Sequence, residues 1–379
     1  MNSIGCELEV LVLKGSEPLT RTEFLRIIEE ELKGEILRDP CTNDIVGTRL
    51  ENNVTLKTDT TSMIWEFSFP PVTNTKSLIN QIYKVRELIS ELGLQLYPSG
   101  YYPNPGIKWY IRNASPRGHY RLLHWYGYSH WKIASMASTQ IWLEVPVNAL
   151  PRTLSLINAI SPSILEKFAN SECCSWKEYR VELWRQFAIT SWATVPETWL
   201  PKVFRSWKDI LDYLFSGRLQ ETSMCKDLSG YSLNELASML MESSGQVLAR
   251  SFDMSLSTAS SREIIEGMQR WIFNPAIPRW WSSRNIPNEW LTEYLRGNTE
   301  PFVESLERTF IEVRFLPTLA TTPEKLHDVI ETLVQVLDAG RDVEVDLNIE
   351  PIIKHEYLEA AKGIKPKSSN RILEKLTKR

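Results

Sequence analysis

The sequence has few cysteines and no long apolar run. Its five cysteines form no CxxC pair and no spacing typical of zinc ligands. Cys173 and Cys174 are adjacent, which would strain a mutual disulfide, so free thiols in a reducing compartment are expected. No stretch approaches the ~20 apolar residues of a membrane-spanning helix. The first residues also lack a basic segment followed by an apolar one, so we expect a cytoplasmic protein without a membrane partner.

Glycine-rich phosphate loops and a basic excess are also absent. Neither GxxxxGK[ST] nor GxGxxG occurs, which argues against the Walker, kinase and Rossmann modes of nucleotide binding. The net charge of -4 predicts no nucleic-acid partner. Trp280 and Trp281, which follow Arg279, are interpreted as core or pocket packing rather than as a base-stacking surface. A nucleotide would therefore have to be held by metal ions and arginines.

Strands near both ends of the chain with helices between them predict an α+β fold rather than regular βαβ repeats. The segment 4–13 alternates in part between apolar and polar residues and is predicted to be a strand. Further strands are predicted within 53–69, 136–147 and 308–316. Helices are predicted at about 21–33, 73–92, 149–187, 322–337 and 350–361, with mostly short helices over 191–296.

Two segments stand outside this pattern. Residues 98–130 are irregular and rich in Tyr, Trp, Pro and Arg, and loops of such length are often functional, so this segment is a candidate lid. Residues 364–379 are basic and are expected to form a solvated, partly frayed terminal helix. We therefore predict one catalytic domain over 1–363, whose helical portion covers about 149–300, followed by a basic tail.

Carboxylates recur on three strand-like segments, as Glu7 with Glu9, Asp59 with Glu66, and Glu312. Taken singly, each fits a solvated strand face. Together, carboxylates on sheet faces repel one another and are costly to bury, so they call for cations. Oxygen ligands without Cys or His favour magnesium or manganese over zinc, and magnesium held in this way is commonly bound together with nucleotide phosphates.

The first two acidic segments resemble motifs of the glutamate-cysteine ligase family, within the glutamine-synthetase-like carboxylate-amine ligases. Residues 5–9 (Gly-Cys-Glu-Leu-Glu) resemble that family's first-strand GxExE motif. Asp59, followed by Glu66 ahead of Pro70, resembles its second motif. The resemblance implies a catalytic domain built on a curved antiparallel sheet that is lined with carboxylates and covered by helices.

The middle of the chain is similar to the plant-type and actinobacterial branch of the family. Residues 116–120 resemble its PxGRY stretch, 136–144 its TxTVQVNLD strand, and 168–171 its FANS turn. Tyr179, Arg180 and Trp184 match part of a helix start, and 311–314 match a late E-x-R strand. Three departures lie where substrates would bind: Trp142 replaces a strand Asn, Pro317 replaces an Asp, and the link from Ser171 to Arg180 is shorter than in the plant-type pattern.

The resemblance implies a ligand set for magnesium and ATP. Roughly two or three Mg²⁺ ions, with Mn²⁺ as an alternative, would bridge the ATP phosphates. Gln140 would lie beside the metal site, and Arg314 would stabilise the transferring γ-phosphoryl group. The implied metal ligands are Glu7, Glu9, Asp59, Glu66 and Glu312.

The implied substrate residues come from the irregular segment and the helix after it. Arg180, a second catalytic candidate, would hold the carboxylate substrate together with Arg117, Tyr120 and Trp184. ATP would phosphorylate the acid to an acyl phosphate, which an amine then attacks. Glutamate and cysteine are the implied pair, as in glutathione biosynthesis.

Three alternatives stay open. The enzyme would use another amine or a peptide or protein substrate, or the chain would be an inactive binding or regulatory member of the fold. The oligomeric state is also open, with a homodimer as one alternative. His119, His124 and His130 are interpreted as ordinary hydrogen-bonding residues rather than as metal ligands, because their spacing is irregular.

Overall fold

The computed structural model describes most of the chain. The described residues are 3–103, 105–118, 120, 134–190, 199–215, 226–228, 231–242, 246–251, 256–260, 263–264, 276–281, 286–339 and 345–377.

One large antiparallel sheet organises the molecule. Its strands follow the order β12-β13-β8-β1-β6-β5-β4-β3, and β2 and β7 both pair with β1. A second, three-stranded sheet has the order β11-β10-β9. The strands are β1 Ile4–Lys14, β2 Glu17–Pro18, β3 Gly34–Arg38, β4 Ile45–Leu50, β5 Thr55–Thr58, β6 Ile64–Val72, β7 Gln95–Leu96, β8 Ser138–Val145, β9 Lys226–Asp227, β10 Gln246–Ser251, β11 Leu256–Ser260, β12 Ala276–Trp281 and β13 Arg308–Pro317.

Helices follow the strands and pack on one another and on the large sheet. Among them, the helix Leu150–Phe168 contacts β12 and β13, and the helix Thr75–Glu91 contacts β6 and the helix Pro323–Ala339. They are α1 Arg21–Arg26, continued by a π-helical turn Ile27–Glu31, α2 Thr75–Glu91, α3 Ile107–Asn113, α4 Leu150–Phe168, α5 Tyr179–Thr190, α6 Trp207–Phe215, α7 Leu233–Glu242, α8 Trp290–Leu295, α9 Glu300–Glu304, α10 Pro323–Ala339, α11 Glu350–Ala361 and α12 Ser368–Thr377, with 3₁₀ turns at Val147–Ala149 and Leu347–Ile349.

The central strands carry different residues on their two faces. On β1, Leu8 and Val10 are buried in the core, and Phe67 on β6 and Leu143 on β8 join them. Because successive side chains of a strand alternate between faces, the residues between these positions share the opposite face. That arrangement gathers the β1 carboxylates on the face opposite these core residues.

The predicted α+β class and the carboxylate-lined antiparallel sheet under helices are confirmed. The predicted strands at 4–13, 136–147 and 308–316 correspond to β1, β8 and β13, with ends that differ by one or two residues. The prediction of mostly short helices over 191–296 is wrong in part, because β9 to β12 lie there. The edge strand β3 and its neighbour β4 were not predicted either.

The terminal helix differs from the frayed helix expected at the C-terminus. In α12, Ser369 and Leu376 are buried, and the helix packs against α4 and α10. The Oγ atoms of Ser163 and Ser369 lie 2.6 Å apart, which fastens α12 to α4. An amphipathic pattern of Leu373 and Leu376 among charged residues explains why the basic segment docks.

The cysteines divide into two states. Cys6, Cys173 and Cys174 are free thiols, as expected. Cys41 is disulfide-bonded, so the expectation of free thiols is wrong at that residue. Cys225 lies outside the described residues. Within the described part of the chain, none of the helices is both long and apolar enough to cross a membrane.

Candidate active site

Three carboxylates converge on the face of the sheet opposite the core residues Leu8 and Val10. Glu9 and Glu66 are directly opposite each other in the pairing of β1 with β6, and Asp59 follows the end of β5. One carboxylate oxygen from each of the three lies within 4.8 Å of the others. Asp59 and Glu66 expose only 17% and 12% of their side chains, and Glu9 is buried. Three carboxyl groups are thus held together with little water.

Neighbouring residues of β8 hold the carboxylate of Glu9. The backbone N–H and the hydroxyl of Ser138 each donate to Oε2 at 2.8 Å, and Nε2 of Gln140 donates to Oε1 at 2.7 Å. Burial, followed by the charges of Asp59 and Glu66, nevertheless raises the pKa of Glu9 to about 8, although the bonds from Ser138 oppose the rise. Gln140, predicted to lie beside a metal site, thus contacts a predicted metal ligand, and its role stays a prediction.

Arg117 and Tyr120 reach the cluster from the irregular segment. Nη1 of Arg117 lies 3.4 Å from Oε2 of Glu66 and 3.9 Å from Oδ1 of Asp59, and the hydroxyl of Tyr120 donates to Asp59. Burial alone would lower the pKa of Arg117. The nearby acidic groups, above all Glu66, outweigh this effect, so the pKa is raised. In this structure these two residues therefore contact the carboxylates that were predicted to bind metal.

A second charged group lies around Glu312 on β13. Nε of Arg279 on β12 donates to Oε2 of Glu312, and Nε of Arg314 lies 3.3 Å from Oε1. Glu312 is only 1% exposed. Its burial would raise the pKa, but Arg279 and Arg314 outweigh that effect, so the pKa of Glu312 is lowered. Two guanidinium groups therefore stabilise the charged form of this carboxylate.

Glu7 connects the two groups. It is opposite Ser68 on β6 and Gln140 on β8. Burial, followed by the charges of Glu66 and Glu312, raises the pKa of Glu7 to about 8. The five predicted carboxylates thus share one face. The cluster of Glu9, Asp59 and Glu66 lies at one end, and the guanidinium groups of Arg279 and Arg314 lie at the other.

The cluster of Glu9, Asp59 and Glu66 fits a hard divalent cation. Its donors are all carboxylate oxygens, and among the described residues no group of possible metal ligands contains His or Cys. Glu7 and Glu9 have raised pKa values because the nearby positive charge does not balance their desolvation. A bound Mg²⁺ or Mn²⁺ would supply that balance, and oxygen donors of this kind suit both ions.

Trp142 fills the guanidinium end of this face. It is opposite Gly5 on β1 and Glu312 on β13. A Cβ at Gly5 would come within 3.2 Å of Cβ of Trp142, so the glycine leaves room for the indole. The guanidinium of Arg279 stacks 5.6 Å from the ring centroid. The buried Nε1 of Trp142 has no hydrogen-bond partner in the structure.

Arg180 holds together two strands of the site. Its Nε donates to Glu178 at 2.6 Å, its Nη1 to the carbonyls of Ala137 and Leu316, and its Nη2 to the carbonyl of Phe315. Four N–H groups of the guanidinium are therefore engaged by protein atoms. These bonds join the start of β8 to the end of β13. Arg180 therefore links the strand that carries Gln140 to the strand that carries Glu312.

Asn170 of the FANS turn (168–171) also links segments next to these strands. Asn170 accepts from the backbone N–H of Gly100 at 3.1 Å and donates to the carbonyl of Thr318 at 2.9 Å.

Trp184 belongs to an apolar cluster beside the site. The members of that cluster are Met136, Leu183 and Phe187, with Tyr101, Tyr120, Tyr179 and Trp184 packed against them.

Sequence reasoning missed Arg279 and Ser138. Arg279 precedes two tryptophans, and that pattern was interpreted as aromatic packing. The alternation of β8 puts Ser138 on the face of Gln140, and this signal was present in the sequence. His119, His124 and His130 lie outside the described residues, and so does part of the candidate lid 98–130.

Comparisons with known proteins give distant structural likenesses only. No family model and no curated protein matches the sequence. The chain is similar to a glutamate-cysteine ligase from Francisella tularensis in complex with AMP, at 12% identity and a TM-score of 0.46, over 97% of this chain and 74% of that one. It is also similar to a bifunctional glutathione synthetase from Pasteurella multocida, at 12% identity and a TM-score of 0.39, over 95% of this chain and 40% of that one.

A third likeness is to the complex between prokaryotic ubiquitin-like protein Pup and its ligase PafA, at 12% identity and a TM-score of 0.30, over 99% of this chain and 79% of that one. The chain therefore spans 40% of the length of the Pasteurella protein. Because all three identities are low and all three TM-scores lie below 0.5, these likenesses carry no argument about activity.

Proposed function

We propose that this chain is an ATP- and magnesium-dependent carboxylate-amine ligase that forms an amide through an acyl phosphate. The observation that carries the proposal is the convergence of Glu9, Asp59 and Glu66 within 4.8 Å on a sheet face that also holds two guanidinium groups. Clustered oxygen donors and nearby arginines are what a triphosphate with its cations requires.

The two ends of the face have different roles in this proposal. Glu9, Asp59 and Glu66, with Glu7 beside them, hold magnesium, which supplies charge neutralisation for the phosphates when bound. Arg314 and Arg279, already oriented by Glu312, face the charge that develops on the transferring phosphoryl group. The fixed guanidinium groups need little reorganisation during transfer.

The chemistry requires no protein nucleophile. A carboxylate oxygen of the acid attacks the γ-phosphorus of ATP, ADP leaves, and the amine then attacks the acyl phosphate carbon and releases phosphate. The protein contributes positioning and exclusion of water from the acyl phosphate. Arg117, Tyr120 and Trp184 are proposed to cover the acid, and Arg180 to position strands β8 and β13 rather than to touch substrate.

Glutamate and cysteine are the substrate pair that we propose first, on the family resemblance of the motifs. Trp142 favours a different amine as the second candidate, because its indole occupies the guanidinium end of the face where the family pattern has an Asn. A peptide or protein amine is part of that second candidate.

ADP release with Mg²⁺ tests the proposal. Glutamate would be supplied alone and with cysteine, with other amino acids and with alkylamines. ADP formation that depends on both an acid and Mg²⁺ is expected, and the amine that stimulates it most identifies the second substrate. Absence of ADP under every condition would contradict ligase activity and favour a binding role.

A further inference from the structure

The adjacent thiols of Cys173 and Cys174 lie together on a tight turn between α4 and α5. Their Sγ atoms are 2.7 Å apart, and both cysteines are free. Cys174 is exposed and Cys173 is half-buried, so reagents in solution can reach the pair. The remaining free thiol of the described residues, Cys6, is buried in β1.

An unusual backbone brings the two thiols together. Consecutive Cα atoms are about 3.8 Å apart, which is shorter than the usual span of a disulfide, and an extended chain would point the two side chains in opposite directions. Cys174 and Ser175 instead have φ values of 55° and 74°. Residues other than glycine rarely adopt this left-handed conformation, and it tends to persist at functional sites.

Backbone hydrogen bonds across the turn and directly after it fix its conformation. The backbone N–H groups of Cys173 and Trp176 each donate to the other residue's carbonyl, at 3.0 and 2.8 Å, so Cys174 and Ser175 form the tip of a two-residue turn. Lys177 and Glu178 then both donate to the carbonyl of Ala361, at the end of α11. The thiols are therefore presented as a preorganised pair, which favours an intramolecular reaction over separate reactions.

We propose that Cys173 and Cys174 form a reversible vicinal disulfide when they meet a low-molecular-weight disulfide oxidant. The exposed Cys174 thiolate attacks one sulfur of the oxidant, whose S–S bond breaks and releases one thiol. Sγ of Cys173 then attacks Sγ of Cys174, and the second half of the oxidant leaves as a thiol. Two electrons and two protons pass from the pair to the oxidant. This proposal does not rest on the proposed ligase activity.

The sequence offers a direct assay. Cleavage after Lys167 and Lys177 releases a peptide, 168–177, that contains both cysteines and no other. The full chain would be treated with oxidised glutathione, alkylated without reduction, digested and analysed by mass spectrometry. The expected peptide carries no alkyl group and lacks the mass of two hydrogens, and after reduction it takes up two alkyl groups.

Variants separate a vicinal disulfide from independent oxidation. Cys174→Ser and Cys173→Ser are each expected to retain one glutathione adduct and to lose the cyclised peptide, whereas the matched control Cys6→Ser behaves as the unmodified chain. Glutathione adducts on both cysteines of the native chain, or two alkyl groups on the peptide directly after oxidant treatment, would overturn the proposal.

Discussion

Glu9 shows at the scale of a single residue how the fold prepares a cation site. Three donors from β8 fix both oxygens of its carboxylate, yet the pKa stays raised to about 8 because burial and two neighbouring carboxylates outweigh them. A side chain that is oriented by the protein but not neutralised by it is suited to a metal ion.

Glu9→Gln and Glu66→Gln are expected to reduce ADP formation by about 100-fold or more, since each removes a charged ligand and leaves the side-chain shape. Circular dichroism should show both variants folded. Glu35→Gln is the matched control, because Glu35 is an exposed strand carboxylate paired with Arg49. Near-native turnover in either cluster variant would remove that residue from the ligand set.

Arg279→Ala is expected to lower turnover by about 10²-fold or more, because this guanidinium balances the buried Glu312 and faces the proposed phosphoryl site. Arg308→Ala provides the comparison, since Arg308 is on the neighbouring strand and pairs with Glu144 at the sheet's surface. Equal effects of the two substitutions would show that Arg279 has no specific role.

At the scale of elements, the strands of the site could be predicted and part of their surroundings could not. Alternation in β1 and β13 indicated which residues face together, and register then brought Glu7, Glu9 and Glu66 side by side. The strand β12 was missed because Pro278 interrupts it and its partner β13 is distant in sequence. The edge strand β3 is mostly exposed and lacks an apolar pattern.

The contacts of Arg117 and Arg180 also required the fold. Both were predicted to bind substrate, but a residue's neighbours across 40 or more positions are not encoded in local spacing. Arg180 lies among the carbonyls of Ala137, Phe315 and Leu316, which meet only after β8 and β13 pair. The substrate role of Arg117 stays a prediction.

The ion pair between Glu144 and Arg308 should make the pairing of β1, β8 and β13 sensitive to acid. Bonds from Arg308 and then from Ser3 lower the pKa of Glu144 to about 2, with burial opposing them. Because the folded pKa is depressed, the pair stabilises the protein above the unfolded pKa near 4.5, and this contribution is lost as the pH falls towards 2.

Urea unfolding measures this effect. Glu144→Gln should cost about 1 kcal/mol or less at pH 6, since both side chains are partly exposed and screened by water. The difference from the native chain should shrink between about pH 4.5 and 2. A difference that does not change with pH would show that the substitution acts through packing.

At the scale of the whole molecule, metal binding and stability should be linked. The metal-free sheet face holds mutually repelling carboxylates, so an ion that binds the folded state selectively stabilises it. Mg²⁺ at 100 times its dissociation constant should add about 2.7 kcal/mol, visible as a rise in melting temperature. Glu9→Gln and Glu66→Gln should lose most of this rise, while Glu35→Gln retains it. No rise in the native chain would contradict a magnesium site.

The most direct test of the account follows oxygen from the acid to the phosphate. The acid that supports ADP formation would be supplied with ¹⁸O in its carboxylate, together with Mg²⁺, ATP and the preferred amine, and the released phosphate would be analysed by mass spectrometry. An acyl phosphate predicts that each phosphate carries one ¹⁸O atom from the acid. Unlabelled phosphate, or release of AMP and pyrophosphate, would contradict the proposed reaction.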